Sequence, residues 1–257
     1  MANVICISNQ KGGVGKTTTA INLSASLAVS EKRTLLVDCD PQANATTGIG
    51  IDKAGIEKTL YHALIGDTPV RSLIVSSSIE ALKVIPSRVE LIGFEVEMMS
   101  KPNREKVLKN LISELKESFD YIILDCPPSL SLLTLNAMTA ADYMLIPLQC
   151  EFYALEGLGQ LLQTIKRVKL GLNPDLEIIG ILLTMFDKRT NLSHQVAEDA
   201  EKYFKNLVFK TTVPRNVRLG EAPSFGKPIL LYDAASIGAQ SYFDLANEIM
   251  NNSTRAL

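Results

Sequence analysis

Tryptophan is absent from the 257 residues, and histidine occurs only at His62 and His194. Cysteine occurs four times, at Cys6, Cys39, Cys126 and Cys150, with no CxxC pair and no histidine close by in sequence. A zinc site is therefore not expected. Cysteines in or beside apolar runs behave as small buried hydrophobes. No apolar run reaches the roughly 18 residues that a spanning helix needs. The amino terminus, Met1-Ala2-Asn3-Val4-Ile5, lacks the basic and apolar regions of a signal peptide. Net charge is scarce too, at −2 from 26 Lys+Arg and 28 Asp+Glu. Any nucleic-acid binding must then come from a local basic patch. Glycine and proline, at 15 and 11, are too few for collagen-like repeats. A hydrophobic fraction of 46% excludes a disordered chain. These absences leave a folded protein of a reducing, cytoplasmic compartment.

Five short apolar runs stand out: Val4–Ile7, Leu35–Val37, Tyr121–Leu124, Tyr143–Ile146 and Ile178–Leu183. Each is apolar at consecutive positions, the pattern of strands covered on both faces in a parallel sheet. Helical spacing marks Thr17–Ser30, Arg104–Ser118, Leu155–Leu170 and Leu192–Tyr203. Leu82–Ile85, Leu207–Thr212 and Pro228–Tyr232 are weaker strand candidates. The alternation predicts an α/β fold with one doubly wound, mostly parallel sheet and helices on both faces. No linker or repeat divides the chain, so one domain is expected over 1–257. Asn44–Pro102 is glycine- and proline-punctuated, and short helices and loops are expected there.

After the first run comes Ser8-Asn9-Gln10-Lys11-Gly12-Gly13-Val14-Gly15-Lys16-Thr17-Thr18, and then a helix. Strand, glycine-rich turn, Lys-Thr and helix is the setting of a phosphate-binding loop. Successive N–H groups in a tight turn form an anion-binding nest, and the helix dipole adds to it. Gly12, Gly13 and Gly15 allow a close backbone approach. Lys16 suits the β- and γ-phosphates, and the Thr17 hydroxyl suits Mg²⁺. Gln10 stands where the standard pattern has glycine, and Lys11 adds a second lysine.

A phosphoryl-transfer site also needs a carboxylate beside its metal. The third run ends in Leu124-Asp125-Cys126-Pro127-Pro128, and the second in Val37-Asp38-Cys39-Asp40-Pro41-Gln42. Strand-end acids lie at the carboxyl edge, where open α/β sheets bind ligands. One such aspartate alone would be read as a turn or helix cap. Three of them, Asp38, Asp40 and Asp125, beside a phosphate loop point to a metal–nucleotide site.

Together, Lys11–Thr18, Val37–Gln42 and Leu124–Pro128 resemble the deviant-Walker ATPases, and within them the ParA/Soj chromosome- and plasmid-partitioning family. Further matches are Thr184-Met185-Phe186-Asp187, Pro214-Arg215-Asn216-Val217-Arg218 and Glu221–Pro228. The likeness spans Val4 to about Met250. It implies an ATP hydrolase using ATP and Mg²⁺, with ADP as product, that forms a nucleotide-sandwich homodimer. Lys11 is implied to reach the partner's phosphates. Lys16 and Thr17 take the loop's ordinary roles, with Gly12, Gly13, Val14 and Gly15 as its backbone, and Thr18 near the α-phosphate. Asp40 is implied to position the attacking water, Asp125 to support Mg²⁺ through water, and Asp38 to stand behind it. Pro214 and Asn216 are implied to lie near the adenine, with Thr184 flanking it. The loops after Asp38 and Asp125 are implied to act as switches.

The family binds DNA without sequence preference and works with a ParB/Spo0J-like centromere-binding partner. The window Lys202–Leu230 carries six basic residues and one acid. Composition alone reads it equally well as a solvated face. The resemblance selects Arg189 and Arg218, then Lys227 and Arg215, as DNA contacts. Asp233–Ala239 holds no basic residue, unlike many relatives, and is not counted among them. The chain opens at its first strand, so no operator-reading segment is expected before it. A MinD-like or cargo-positioning ATPase, acting as a nucleotide-gated scaffold, is the alternative. A MinD-type chain ends in a basic amphipathic helix. Here Tyr242, Leu245, Ala246 and Ile249 form a stripe flanked by Asp244, Glu248 and a lone Arg255, so no membrane contact is expected. An iron–sulfur relative would need an interface cysteine. Cys126 is the candidate, though a strand-end cysteine among apolar residues reads as inert. A cytoplasmic, nucleoid-associated ATPase is the resulting expectation.

Overall fold

The chain is described here by a computed structural model covering residues 1–152 and 154–253. Its strands are β1 (Asn3–Ile7), β2 (Thr34–Asp38), β3 (Val75–Ser76), β4 (Leu82–Ile85), β5 (Tyr121–Asp125), β6 (Tyr143–Gln149), β7 (Glu177–Phe186) and β8 (Val208–Pro214). They form one sheet in the order β3-β4-β2-β5-β1-β6-β7-β8. Every neighbouring pair is parallel except β3 with β4. The five apolar runs are all strands, and so are Leu82–Ile85 and the Leu207–Thr212 region. The two-residue β3 was not expected; a segment that short carries no readable period.

The helices are α1 (Lys16–Val29), α2 (Asn44–Gly48), α3 (Leu60–Leu64), α4 (Gly93–Glu97), α5 (Val107–Ser113), α6 (Leu132–Ala140), α7 (Ala154–Gly171), α8 (Asn191–Phe204), α9 (Val217–Glu221), α10 (Ile229–Tyr232) and α11 (Ile237–Ser253). Side chains alternate across the sheet. Val4, Cys6, Val37, Ile122 and Leu124 face one core with residues of α3, α5, α6 and α7. Ile5, Ile7, Leu36 and Ile123 face the other with α1 and α11. Because both faces are covered, the interiors of the central strands β1, β2 and β5 are apolar, and polar residues stand only at their ends.

Two expected elements are corrected. Pro228–Tyr232 is not a strand: Leu231 and Tyr232 N–H both donate to the Pro228 carbonyl, which closes the turn of α10. The helix expected over Arg104–Ser118 is a 3-10 turn at Arg104–Lys106, then α5, and it stops at Ser113. Beyond that point Arg71 donates to the Glu114 carbonyl and the Ala2 N–H takes the Lys116 carbonyl. Tertiary donors thus occupy acceptors that further helix would have used. Between residues 44 and 102 the chain forms short helices and loops, as expected.

The stripe Tyr242, Leu245, Ala246 and Ile249 is buried in the core shared with α1. Among the described residues, no helix is long and apolar enough to cross a membrane. Arg255 lies outside the described residues.

Candidate active site

The sheet order explains why distant motifs meet. β5 lies between β2 and β1, with Asp38 opposite Asp125 and Ile7 opposite Asp125 in register. The carboxyl ends of the three strands therefore deliver both acids and the phosphate loop to one place. β1 also pairs with β6 on its other side, so the chain reverses direction of winding here, at the position where doubly wound sheets bind ligands.

The loop is shaped by its glycines and by ties to its neighbours. Gly13 and Gly15 have φ of +74° and +87°, left-handed values at which a Cβ is strained. Gly15 caps α1. A Cβ on Gly12 or Gly13 would meet nothing within 4 Å, so the cradle opens outward. Asn9 donates to the Pro147 carbonyl at 2.7 Å and accepts the Lys11 N–H at 3.0 Å. The Thr184 hydroxyl donates to the Val14 carbonyl at 2.9 Å, joining β7 to the loop. Val14 is buried beneath it.

Lys16 is 7% exposed, and its ammonium donates to the Lys11 carbonyl at 2.8 Å. Burial lowers its pKa, while Asp125, Cys126 and Asp40 oppose that shift. Asp125 is fully buried, and neither carboxylate oxygen has a hydrogen-bond partner. Burial pushes its pKa well up, Asp38 adds to this, and Thr17 and Lys16 pull it back. A buried carboxylate without partners is costly unless a cation joins it. The open glycine cradle, the buried lysine and the orphaned acid together fit a triphosphate with Mg²⁺.

Asp38 is different. One of its oxygens accepts the Asp40 N–H at 3.1 Å; the other accepts the N–H and hydroxyl of Thr46 at 2.8 and 2.7 Å. Its carboxylate is engaged in holding the loop that follows β2. Asp40, 7% exposed, accepts the Gln42 N–H at 2.9 Å. Lys11 is exposed and forms an ion pair with Glu151 of its own chain, just after β6.

Beside the loop lies a cavity of about 360 Å³. Thr184, Pro214 and Asn216, the expected nucleobase neighbours, all line it, and so does Thr18, expected near the α-phosphate. Asn216 also caps α9 by accepting the Arg218 N–H. Arg215, read from the sequence as a DNA contact, lies on the rim of this cavity. The lining residues that the sequence reading missed include Met185, Leu219 and Tyr242. Met185 has a φ of +52° and sits inside a motif already singled out. Tyr242 comes from α11 and meets the Thr19 hydroxyl at 3.2 Å, a contact over 223 residues with no local signal.

The other basic residues read as DNA contacts are exposed. Arg189 forms a two-point ion pair with Asp187, at 2.9 and 2.8 Å. This holds the Asp187 carboxyl well below the usual carboxylate range. Arg218 pairs with Glu221 at 3.0 Å and approaches Asp233 at 3.6 Å. Lys227 is exposed. All four cysteines are buried free thiols, and Cys126 lies in the core with its Sγ 3.4 Å from that of Cys6. It does not reach a surface where a second chain could share it.

A doubly wound parallel sheet with this loop and these strand-end acids defines a P-loop nucleotide-binding protein of the deviant-Walker type. Residues 2–178 match the family described as an AAA domain. The chain is 58% identical over 254 residues to the chromosome partitioning protein ParA of Myxococcus xanthus (strain DK1622), covering 99% of this chain and 90% of that one. It is 56% identical over 252 residues to the sporulation initiation inhibitor protein Soj of Bacillus subtilis (strain 168), covering 98% and 100%. The crystal structure of cobyrinic acid a,c-diamide synthase from Mycobacterium smegmatis with bound ADP and magnesium superposes with a TM-score of 0.88 at 35% identity. That match covers 100% of this chain and 97% of the other. The chain belongs to the ParA/Soj family of chromosome-partitioning ATPases.

Proposed function

We propose that this chain is a single ATPase domain over 1–257 that hydrolyses ATP slowly with Mg²⁺, dimerises around the nucleotide and binds DNA without sequence preference as the dimer. Its partner is a ParB/Spo0J-like centromere-binding protein that, with DNA, stimulates hydrolysis, and the outcome is segregation of a chromosome or plasmid at the nucleoid, in the cytoplasm. One observation carries the reading: an open glycine cradle beside a buried lysine and an unpartnered buried aspartate. Lys16 and the N–H groups of residues 12–17 would hold the phosphates. Thr17 and Asp125 would hold Mg²⁺, the latter through water, with Asp38 behind them. Bound Mg²⁺ neutralises charge developing on the transferred phosphoryl group. Asp40 orients the attacking water. Lys11 leaves Glu151 to meet the second subunit's phosphates, where a cation stabilises the same charge.

Dimerisation doubles the DNA contacts, so nucleotide can control affinity through avidity. The test is a titration of random-sequence duplex DNA with the wild type and Lys16→Ala, in ATP or ADP with Mg²⁺, alongside light scattering. The wild type is expected to double its mass and bind DNA in ATP alone, and Lys16→Ala to do neither. A monomer in both nucleotides, with equal DNA affinity, would refute the reading. Dimerisation with hydrolysis indifferent to DNA and partner would instead favour the cargo-positioning scaffold.

A further inference from the structure

The loop from Asp38 to Thr46 is closed on itself. Asp38 gathers the Asp40 N–H on one oxygen and both donors of Thr46 on the other. The Thr46 hydroxyl in turn accepts the Ser87 N–H at 3.0 Å, from the segment after β4. Thr46 is fully buried. The Ala43 N–H donates to the Asp40 carbonyl, and Ala43 holds a left-handed φ of +54° to make the turn. A hydroxyl has one proton and two lone pairs. Since the Ser87 N–H can only donate, the single Thr46 proton must point at Asp38. The orientation is therefore unique, and the hydroxyl joins the end of β2 to the segment after β4 through one atom.

We propose that Thr46 is a positioning residue for ATP hydrolysis, its hydroxyl locking the Asp38 carboxylate so that the loop carries Asp40 in one place. This rests on the reading of Asp40 as the group that orients water. Asp40 itself has only the Gln42 N–H on its carboxylate. Its position is thus set by its backbone, and its backbone by Asp38. Misplacing a catalytic group by about 1 Å can cost about 100-fold in rate. Nucleotide binding through the phosphate loop does not pass through Thr46, so affinity is left alone.

The test compares Thr46→Val, which keeps the shape and removes the hydroxyl, with Thr46→Ser, which restores it. Steady-state hydrolysis is measured at saturating DNA. Thr46→Val is expected to lower kcat about 10- to 100-fold, with KM within about threefold and ATP-driven dimerisation retained. Thr46→Ser should recover kcat. Without nucleotide, amide hydrogen exchange over residues 40–46 should quicken in Thr46→Val and return to normal in Thr46→Ser. A purely structural role would instead move KM, dimerisation and melting temperature along with kcat, and that outcome overturns the proposal. Wild-type kcat in Thr46→Val, beside an inactive Asp40→Ala, overturns it while the role of Asp40 stands. Normal hydrolysis by Asp40→Ala overturns the underlying reading and Thr46's role with it. If Thr46→Val does not fold, Thr46→Cys, a weaker donor, should give an intermediate kcat, and wild-type kcat there overturns the proposal.

Discussion

Asp38 and Asp125 sit opposite one another at two buried strand ends, which ties the stability of the nucleotide-free protein to pH in an unusual direction. Burial pushes the Asp38 carboxyl from 3.8 up to about 6, against three hydrogen bonds that pull it down. Asp125 moves the same way. A carboxyl that is harder to ionise folded than unfolded contributes nothing adverse below the unfolded value. Its cost grows as pH rises towards the folded value and is constant above it. For Asp38 that window runs from about 4 to about 6, and a gap of about 2.2 pH units at ~1.4 kcal/mol each makes about 3 kcal/mol. In a chain of this length that is roughly 6–12 °C of melting temperature. Asp67, Asp120 and Asp187 are shifted down by Lys58, Arg33 and Arg189, so their contributions change only below about pH 4. The assay is thermal melting of nucleotide-free protein from pH 4.5 to 7.5, for the wild type and Asp125→Asn. Wild-type stability should fall across this range. Asp125→Asn should have the flatter curve and be the more stable at pH 7.5. Adding ATP and Mg²⁺ at pH 7.5 should reverse the order, because only the wild type keeps the acid that suits the metal. A variant curve parallel to the wild type, or wild-type stability rising from pH 4.5 to 6, would refute the reasoning.

Two further outcomes are expected. Gly50 and Gly226 meet back to back at φ of +88° and +61°, and a Cβ on Gly226 would lie 2.8 Å from the Gly50 Cα. Gly226→Ala should lose about 1–2 kcal/mol from handedness alone, with the clash adding to it; an unchanged midpoint in urea unfolding would contradict this. Arg189 is held by Asp187 in the free protein, so Asp187→Asn should release it to phosphate. With two such sites per dimer, the salt slope of DNA binding should steepen by about 1.8; anisotropy titrations from 50 to 200 mM salt that give equal slopes would remove Arg189 from the contact.

The strands and the phosphate loop were legible because their causes are local. A strand covered on both faces must be apolar throughout, as Val4–Ile7 and Tyr121–Leu124 are. A nest for phosphate must have glycines, a lysine and a hydroxyl at fixed spacing, as Gly12–Thr17 does. Asp38 and Asp125 stood out for the same reason, as polar residues ending apolar runs, with Asp40 two residues past the first of them. The length of α5 was not legible, because Arg71 and Ala2, far away in the chain, take the acceptors that would have extended it. Nor could composition tell which basic residues are free and which are already paired, as Arg189 and Arg218 are.

Residue chemistry at short range thus pointed to the kind of ligand proposed for this chain and to the edge of the sheet proposed to hold it. Three matters depended on segments meeting across the fold. These are the link from Thr46 to the Ser87 N–H after β4, the cavity wall that Tyr242 supplies, and the burial of the Asp125 carboxylate opposite Asp38. Each arises because the strand order β4-β2-β5-β1 and the packing of α11 on α1 bring together residues tens to hundreds of positions apart. Spacing along a chain carries no record of such distances, since they are set only when both faces of the sheet are buried at once.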